Sequence, residues 1–340
     1  MKVAANSIKI RQMNAELIRS VLRQSGYATK KSIARATGLS IATCGNILKE
    51  MLGTSEVLEM DLADSTGGRP SRRFVYNQNF AHLLLLYLRQ EGQEKSIYTA
   101  LIDMSGNILY EERSVFAQIS IAEVESLISR YCESYPRLQV IGFGVPAVVN
   151  KGVIGICDFD FLIDFPLVEY LEKKYQKKIV AENDVNCTAI GCFRGSTDQQ
   201  AESLVYIYYP KEGNPGAGIV INGRILRGHS NFAGEVSYLP LGVPAEVQRK
   251  IQSDKGRFSY YVAKTALSVN AIINPGTIIL SGYSFTPEIR ELVAERVVHD
   301  APAGHVPLLI FEDDIHDSYV EGLTYLALKE MSCEFELVRK

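Results

Sequence analysis

The chain of 340 residues is long enough for two or three domains and a large buried core. Its 46% hydrophobic and 22% charged residues are ordinary for a soluble globular protein. The N-terminus lacks an apolar signal core. The longest aliphatic run, Leu83 to Leu86 and on to Leu88, is too short to span a bilayer. These features set aside membrane contact and place the expected compartment in the cytoplasm. The net charge of −3 conceals an asymmetry: residues 1–77 hold 12 Lys/Arg and 6 Asp/Glu, whereas residues 78–340 hold 24 and 33. A basic head on an acidic body points to a polyanionic partner for the head alone. The six cysteines, Cys44, Cys132, Cys157, Cys187, Cys192 and Cys333, form no C-x-x-C pair. They read as reduced thiols, not as a disulfide frame.

Residues 1–13 are polar and basic and are expected to form a loose arm. Residues 14–24 read as a first helix, with Leu17, Ile18, Val21 and Leu22 on one side. The stretch 29–51, TKKSIARATGLSIATCGNILKEM, reads as two short helices joined by a tight turn. Ile33 and Ala34 give the first an apolar side, Gly38 supplies a left-handed turn residue, and Ser40 can cap the second. In that second helix Cys44, Ile47, Leu48 and Met51 share one face. The opposite face, with Ala42, Thr43, Gly45, Asn46 and Lys49, is small, polar and basic, which suits entry into a major groove. The alternative is a helical hairpin docked on a larger core. Residues 57–60 then read as a strand, 64–70 as a glycine turn and 73–76 as a returning strand, so that three helices and a hairpin make a winged helix. Expected DNA contacts are Thr29, Lys30, Ser40, Ala42, Thr43, Asn46 and Lys49 from the helix pair, and Arg69 and Arg72 from the wing, with Arg73 beside them.

From Phe80 the pattern changes. Strands are predicted at 81–89, 95–104, 107–116, 139–145 and 178–181, and helices at 121–131, 167–175 and 185–193. A second series follows: strands at 203–209, 217–222, 224–227, 277–281 and 306–311, and helices at 258–273, 287–298 and 319–329. Two rounds of three strands followed by alternating helices and strands suggest a duplicated α/β body. No low-complexity linker intervenes, so the wing should join the body directly.

Several segments together resemble the ROK family (repressors, open reading frames and kinases), specifically its repressor branch. They are TGGRPS at 66–71, GFGVPAVV at 142–149, AENDVNCTAIG at 181–191, GAGIVINGRILRG at 216–228, FAGEVSYLPL at 232–241 and INPGTIILSG at 273–282. The resemblance implies a multi-domain α/β protein. Residues 1–77 would be a winged helix-turn-helix, and residues 78–340 a two-lobed, actin-like (ribonuclease H-like) body with a sugar cleft. Lobe one would cover about 78–182 with the C-terminal helix at 317–331, and lobe two about 183–316.

Family kinases need a DxGGT phosphate loop after the first body strand, but the matching place reads LLLLYLRQEGQEKS. Asp184 keeps the carboxylate of the family's general base, yet a base without a phosphate cradle does not make a kinase. The second glycine loop, 213–218, contains Pro215, which removes an N–H donor. The family's structural zinc uses a histidine and a cysteine cluster; here Tyr238 stands in the histidine slot, and no cysteine lies between Cys192 and Cys333. No catalytic residue, metal or cofactor is therefore expected. The sugar-facing set implied by the resemblance is Asn183, Asp184, Glu235, Tyr238, Gly144 and Asp158. The expected protein is a DNA-binding regulator, a repressor of carbohydrate-related genes, that senses a sugar and binds operator DNA as a homodimer or homotetramer. The alternatives are a regulator answering to a protein partner and, behind it, an ATP-dependent sugar kinase.

Overall fold

The computed structural model describes residues 2–60, 72–92, 94–157, 159–196, 202–211 and 213–331. The expected glycine turn with Arg69, together with Asp158 and Cys333, lies outside the described residues. The head comprises α1 (Lys2–Ser25), β1 (Ala28–Thr29), α2 (Lys30–Thr37), α3 (Ile41–Gly53), β2 (Val57–Met60) and β3 (Arg73–Tyr76), its strands paired antiparallel in the order β1-β3-β2. The expected loose arm is helical instead, because α1 begins at Lys2. Residues 2–13 contain neither Gly nor Pro and are rich in helix formers, and Arg11 Nε donates to Glu50 of α3 at 3.2 Å. The turn between α2 and α3 is as expected. Gly38 closes α2 in the left-handed conformation at φ 73°, and Ser40 caps α3 by accepting from the Thr43 N–H. Cys44, Ile47, Leu48 and Met51 are the buried face of α3. The two-residue strand β1 was not anticipated; so short a strand carries no periodicity to read.

The body begins with β4 (His82–Glu91), β5 (Glu94–Asp103), β6 (Ile108–Phe116), α4 (Ile121–Ser134), β7 (Leu138–Val145), β8 (Ala147–Asn150), β9 (Val153–Cys157), α5 (Leu167–Tyr175), β10 (Lys178–Asn183) and α6 (Asp184–Gly195). It continues with β11 (Ser203–Tyr209), β12 (Gly216–Ile221), β13 (Arg224–Ile225), α7 (Ala245–Gln248), α8 (Lys255–Ile273), β14 (Thr277–Gly282), α9 (Pro287–Asp300), β15 (Leu308–Glu312) and α10 (His316–Met331). The first sheet has the order β10-β7-β4-β5-β6 and the second β13-β12-β11-β14-β15. In each, three antiparallel strands are followed by two that run parallel to the first, so the two lobes repeat one plan.

Period-2 alternation along the central strands sends successive side chains to opposite faces. Leu84, Leu86 and Leu88 of β4 pack under α4 and α5, while Leu83, Leu85 and Tyr87 face α6 and α10. On β11, Tyr206 faces α6 and α10, and Val205, Ile207 and Tyr209 pack against α8 and α9. The result is five layers, with α6 and α10 sandwiched between the sheets. These two helices cross at Gly191 and Gly322, where an added Cβ would overlap the backbone carbonyl oxygen of Ser318 and of Cys187, respectively.

The head is built onto lobe one with no linker. The Asn77 N–H donates to Glu56 O at 2.9 Å, Met104 N donates to Gln78 O at 2.9 Å, and Arg137 donates to Asn79 O at 3.0 Å. Tyr76 and Phe80 meet edge to face, so the head's apolar core runs into that of the body. The β8–β9 hairpin was not foreseen. Its turn residues Lys151 and Gly152 have φ of 49° and 80°, a left-handed pair more often announced by Asn-Gly. The strand expected at 224–227 stops at Ile225, and the chain then forms an irregular arm.

Candidate functional site: an interlobe cleft and a helix-turn-helix face

A cavity of about 170 Å³ opens between the lobes. It lies where the C-terminal ends of β4, β10 and β11 meet the segment 235–238. Asn183, Asp184, Glu235 and Tyr238 all line it, so four of the six sugar-facing residues named from sequence converge. Gly144 does not line it: it is buried in β7, and the Tyr319 hydroxyl occupies the space a side chain would need. The expected ligand contact there is corrected to a packing requirement.

Asn183 is the N-cap of α6. Its Oδ1 accepts the Asn186 N–H at 3.0 Å, and its Nδ2 donates to Ala147 O at 3.1 Å. Asp184 opens the helix, where the positive end of the helix dipole favours a carboxylate, and accepts its neighbour Val185 N–H at 2.8 Å. Glu235 is brought to the cleft by Gly234, whose φ of 101° and close seat against Ala217 O admit no side chain. Burial pushes the Glu235 carboxyl above the usual glutamate range. Tyr238 is 62% exposed and leans on Phe232 at the cleft mouth.

The Glu235 shift has a consequence for stability. A carboxyl raised on folding binds its proton more tightly folded than unfolded. Its charging penalty is absent below the ordinary glutamate range, appears as pH rises through it, and persists above. Glu235→Gln should therefore flatten the melting temperature against pH from the ordinary glutamate range upward and raise it at neutral pH. An unchanged slope would show the carboxyl to be well solvated.

The segment where the family's first phosphate loop is expected is a strand pair. The β4–β5 ladder pairs without interruption from His82–Asp103 to Glu91–Glu94. Sequence reasoning did not mark Arg89, which projects here and reaches Asp314 at 3.9 Å. Gln90, Tyr208, Ser237 and Tyr319 were missed as well. Glu182 was also missed. It is 6% exposed, accepts from Asn183 N and Asn186 Nδ2 at 3.0 Å each, and pairs with Arg227 of the opposite lobe. The signal was a carboxylate directly after the apolar run Ile179-Val180-Ala181, a charge that burial obliges to find a partner.

On the head, Ala42, Asn46 and Lys49 are exposed on α3 at intervals of four and three, so they share one face. Lys30 is exposed over the Phe74 ring, and its Nζ is 3.8 Å from where a Gly45 side chain would begin. The hydroxyls of Thr29, Ser40 and Thr43 serve helix caps. Arg72 pairs with Glu59 at 2.7 Å, so any anion there must compete with a carboxylate.

Taken together, the two repeated lobes, the cleft between them and the helix-turn-helix head define a two-lobed actin-like protein with an N-terminal helix-turn-helix. The ROK family model matches residues 92–249. It is 22% identical to the xylose repressor of Caldicellulosiruptor bescii over 256 residues, 71% of this chain and 62% of that protein. It is 25% identical to the DNA-binding transcriptional dual regulator NagC of Escherichia coli over 246 residues, 68% and 59% of the two. The chain thus spans about three-fifths of the length of these relatives. Among solved structures, a ROK family transcriptional regulator homologous to E. coli Mlc matches with a TM-score of 0.68 at 18% identity, covering 95% of this chain and 99% of that one. The ROK hexokinase of Thermus thermophilus matches with 0.60 at 19% identity, covering 74% and 100%. Among the described residues no helix is long and apolar enough to cross a membrane.

Proposed function

We propose that the protein is a DNA-binding transcriptional regulator, a repressor of carbohydrate-related genes, whose body senses a sugar and performs no phosphoryl transfer. Residues 1–77 are the DNA-binding domain and residues 78–340 the sensor. The observation that carries this reading is the pairing of an exposed Ala42, Asn46 and Lys49 face with a cleft that keeps Asp184 and Glu235 but not a phosphate loop. Relatives named as xylose and N-acetylglucosamine repressors support the sugar class.

Asp184 and Glu235 suit bidentate hydrogen bonds to vicinal hydroxyls, with Asn183 fixing the turn that presents Asp184 and Tyr238 closing the mouth. The cavity is small beside ordinary ligand sites of about 300–1,000 Å³, which fits one monosaccharide better than a sugar together with a nucleotide. Two copies of the chain would present two α3 helices to the half-sites of a palindrome. A sugar that favours one lobe arrangement shifts the heads, because the joint at Asn77 and Phe80 leaves them little independent freedom. Sugar and DNA then change each other's affinity by the same factor.

Asp184→Ala tests the cleft. It should leave basal DNA binding intact and abolish the sugar response, read by titrating the cognate sugar into a protein–DNA complex. A normal response would place the effector elsewhere. Incubation with ATP and the same sugars should yield no sugar phosphate. Asp184-dependent product would favour the kinase reading.

A further inference from the structure

β6 is the outermost strand of the first sheet among the described residues. An outermost strand turns alternate backbone N–H and C=O groups away from its own sheet, where they are a template for another strand. The β6 ladder to β5 is regular from Tyr110 to Phe116, so its side chains alternate between two faces. Tyr110, Glu112, Ser114 and Phe116 stand on the face that α4 covers. Glu112 is held there by Arg130 of α4 and by the Thr99 hydroxyl, which donates to it at 3.3 Å. Glu111, Arg113 and Val115, with Leu109 before them, stand on the opposite face. There Glu111 accepts from the Tyr98 hydroxyl, and Arg113 pairs with Glu94. Leu109, Tyr110 and Val115 are each about half exposed. Charges on an outermost strand commonly keep a second strand away; the order of the charges on β6 does the reverse for one particular partner.

We propose that β6 pairs antiparallel with β6 of a second copy of the chain, about a two-fold axis at Glu112, and so joins the two first sheets into one. In that register Leu109 faces the partner's Val115, and Glu111 faces the partner's Arg113. Each pair occurs twice because the contact is symmetric. One face of the strand pair is then apolar at both ends and carries two opposite-charge pairs at its centre. An antiparallel ladder sets hydrogen-bonded positions opposite one another, and the neighbouring registers that keep this rule are worse. An axis at Glu111 sets Leu109 against the partner's Arg113 and Glu111 against the partner's Glu111. An axis at Arg113 sets Glu111 against the partner's Val115 and Arg113 against the partner's Arg113. On the other face the two Glu112 side chains meet, each already held by Arg130 of its own chain. The turn into β6 adjoins the joint that carries the head, where Met104 N donates to Gln78 O. Antiparallel pairing therefore leaves the two heads at opposite ends of the strand pair, related by a two-fold axis like that of a palindrome. The contact does not depend on what the head or the cleft binds.

The test is sedimentation equilibrium of the full-length protein at micromolar concentration, without DNA or sugar, so that its outcome is separate from the regulator reading. Glu111→Arg alone and Arg113→Glu alone each set like charges opposite one another, and each should halve the wild-type mass while the melting curve stays cooperative. An equimolar mixture of the two single variants restores opposite charges at both positions and should recover the wild-type mass. The double variant with both changes in one chain should recover it as well, which also shows that neither change prevents folding. A monomeric wild type would overturn the proposal. So would single variants that keep the wild-type mass, or a mixture and a double variant that both stay at half of it.

Discussion

Replacing Asn46 and Lys49 together with alanine should lower specific DNA affinity by at least about 100-fold, since a bidentate base contact alone contributes about 1–3 kcal/mol. Both side chains are exposed, and neither contributes to the packed face of Cys44, Ile47, Leu48 and Met51. The melting temperature and the cleft's sugar binding should therefore stay as they were. Fluorescence anisotropy on a defined operator, beside a thermal melt, separates the two effects. The proposed reading assigns Asn46 to base edges and Lys49 to the backbone. Lys49→Ala alone should weaken binding to all sequences and shallow its salt dependence, while Asn46→Ala should relax sequence preference. Undiminished binding by the double variant would place the reading surface elsewhere on the head.

The second large effect concerns the helices between the sheets. Gly322→Ala should destabilise the body by about 3 kcal/mol, a fall in melting temperature of roughly 6–12 °C. A glycine within a helix is itself unfavourable by about 0.5–1 kcal/mol relative to alanine, so on propensity alone the substitution would stabilise. The expected sign is opposite because the new methyl meets the Cys187 carbonyl, which is backbone and cannot rotate away. Gly191→Ala meets the Ser318 carbonyl from the other helix and should behave alike. The two changes act on one crossing, so their effects should fall short of additive in the double variant. A melting temperature equal to or above that of the wild type would mean that α6 and α10 do not approach this closely in solution. Since α6 begins at Asp184, loosening the crossing should also blunt the sugar response.

Much of this was legible from sequence where side-chain period and local turn chemistry decide the structure. The α2–α3 pair was readable because Gly38, Ser40 and the Cys44-to-Met51 stripe are local signals. The duplicated α/β body followed from strand and helix alternation, whereas the strand order within each sheet did not. The convergence of Asn183, Asp184, Glu235 and Tyr238 was reached through motif resemblance; no spacing in the chain would have joined residues 183 and 235.

What was not legible depends on distant partners or very short elements. The pair of Glu182 and Arg227 spans 45 positions, and that of Arg89 and Asp314 joins the two ends of the body. Gly144 looked like part of a ligand loop because its motif is glycine-rich, yet its reason is the Tyr319 hydroxyl arriving from α10. The helix at residues 2–13 was misread because its polar composition resembles an arm when no partner is in view, and Glu50 on α3 is that partner.

Genomic DNA from the source organism, sheared and captured on the purified protein at moderate salt, tests the regulator reading most directly. The captured fragments are sequenced with and without a panel of hexoses, amino sugars and their phosphates. Sharp palindromic peaks, whose occupancy one of those sugars changes, are the predicted result. Diffuse, salt-sensitive recovery that no sugar alters would contradict it.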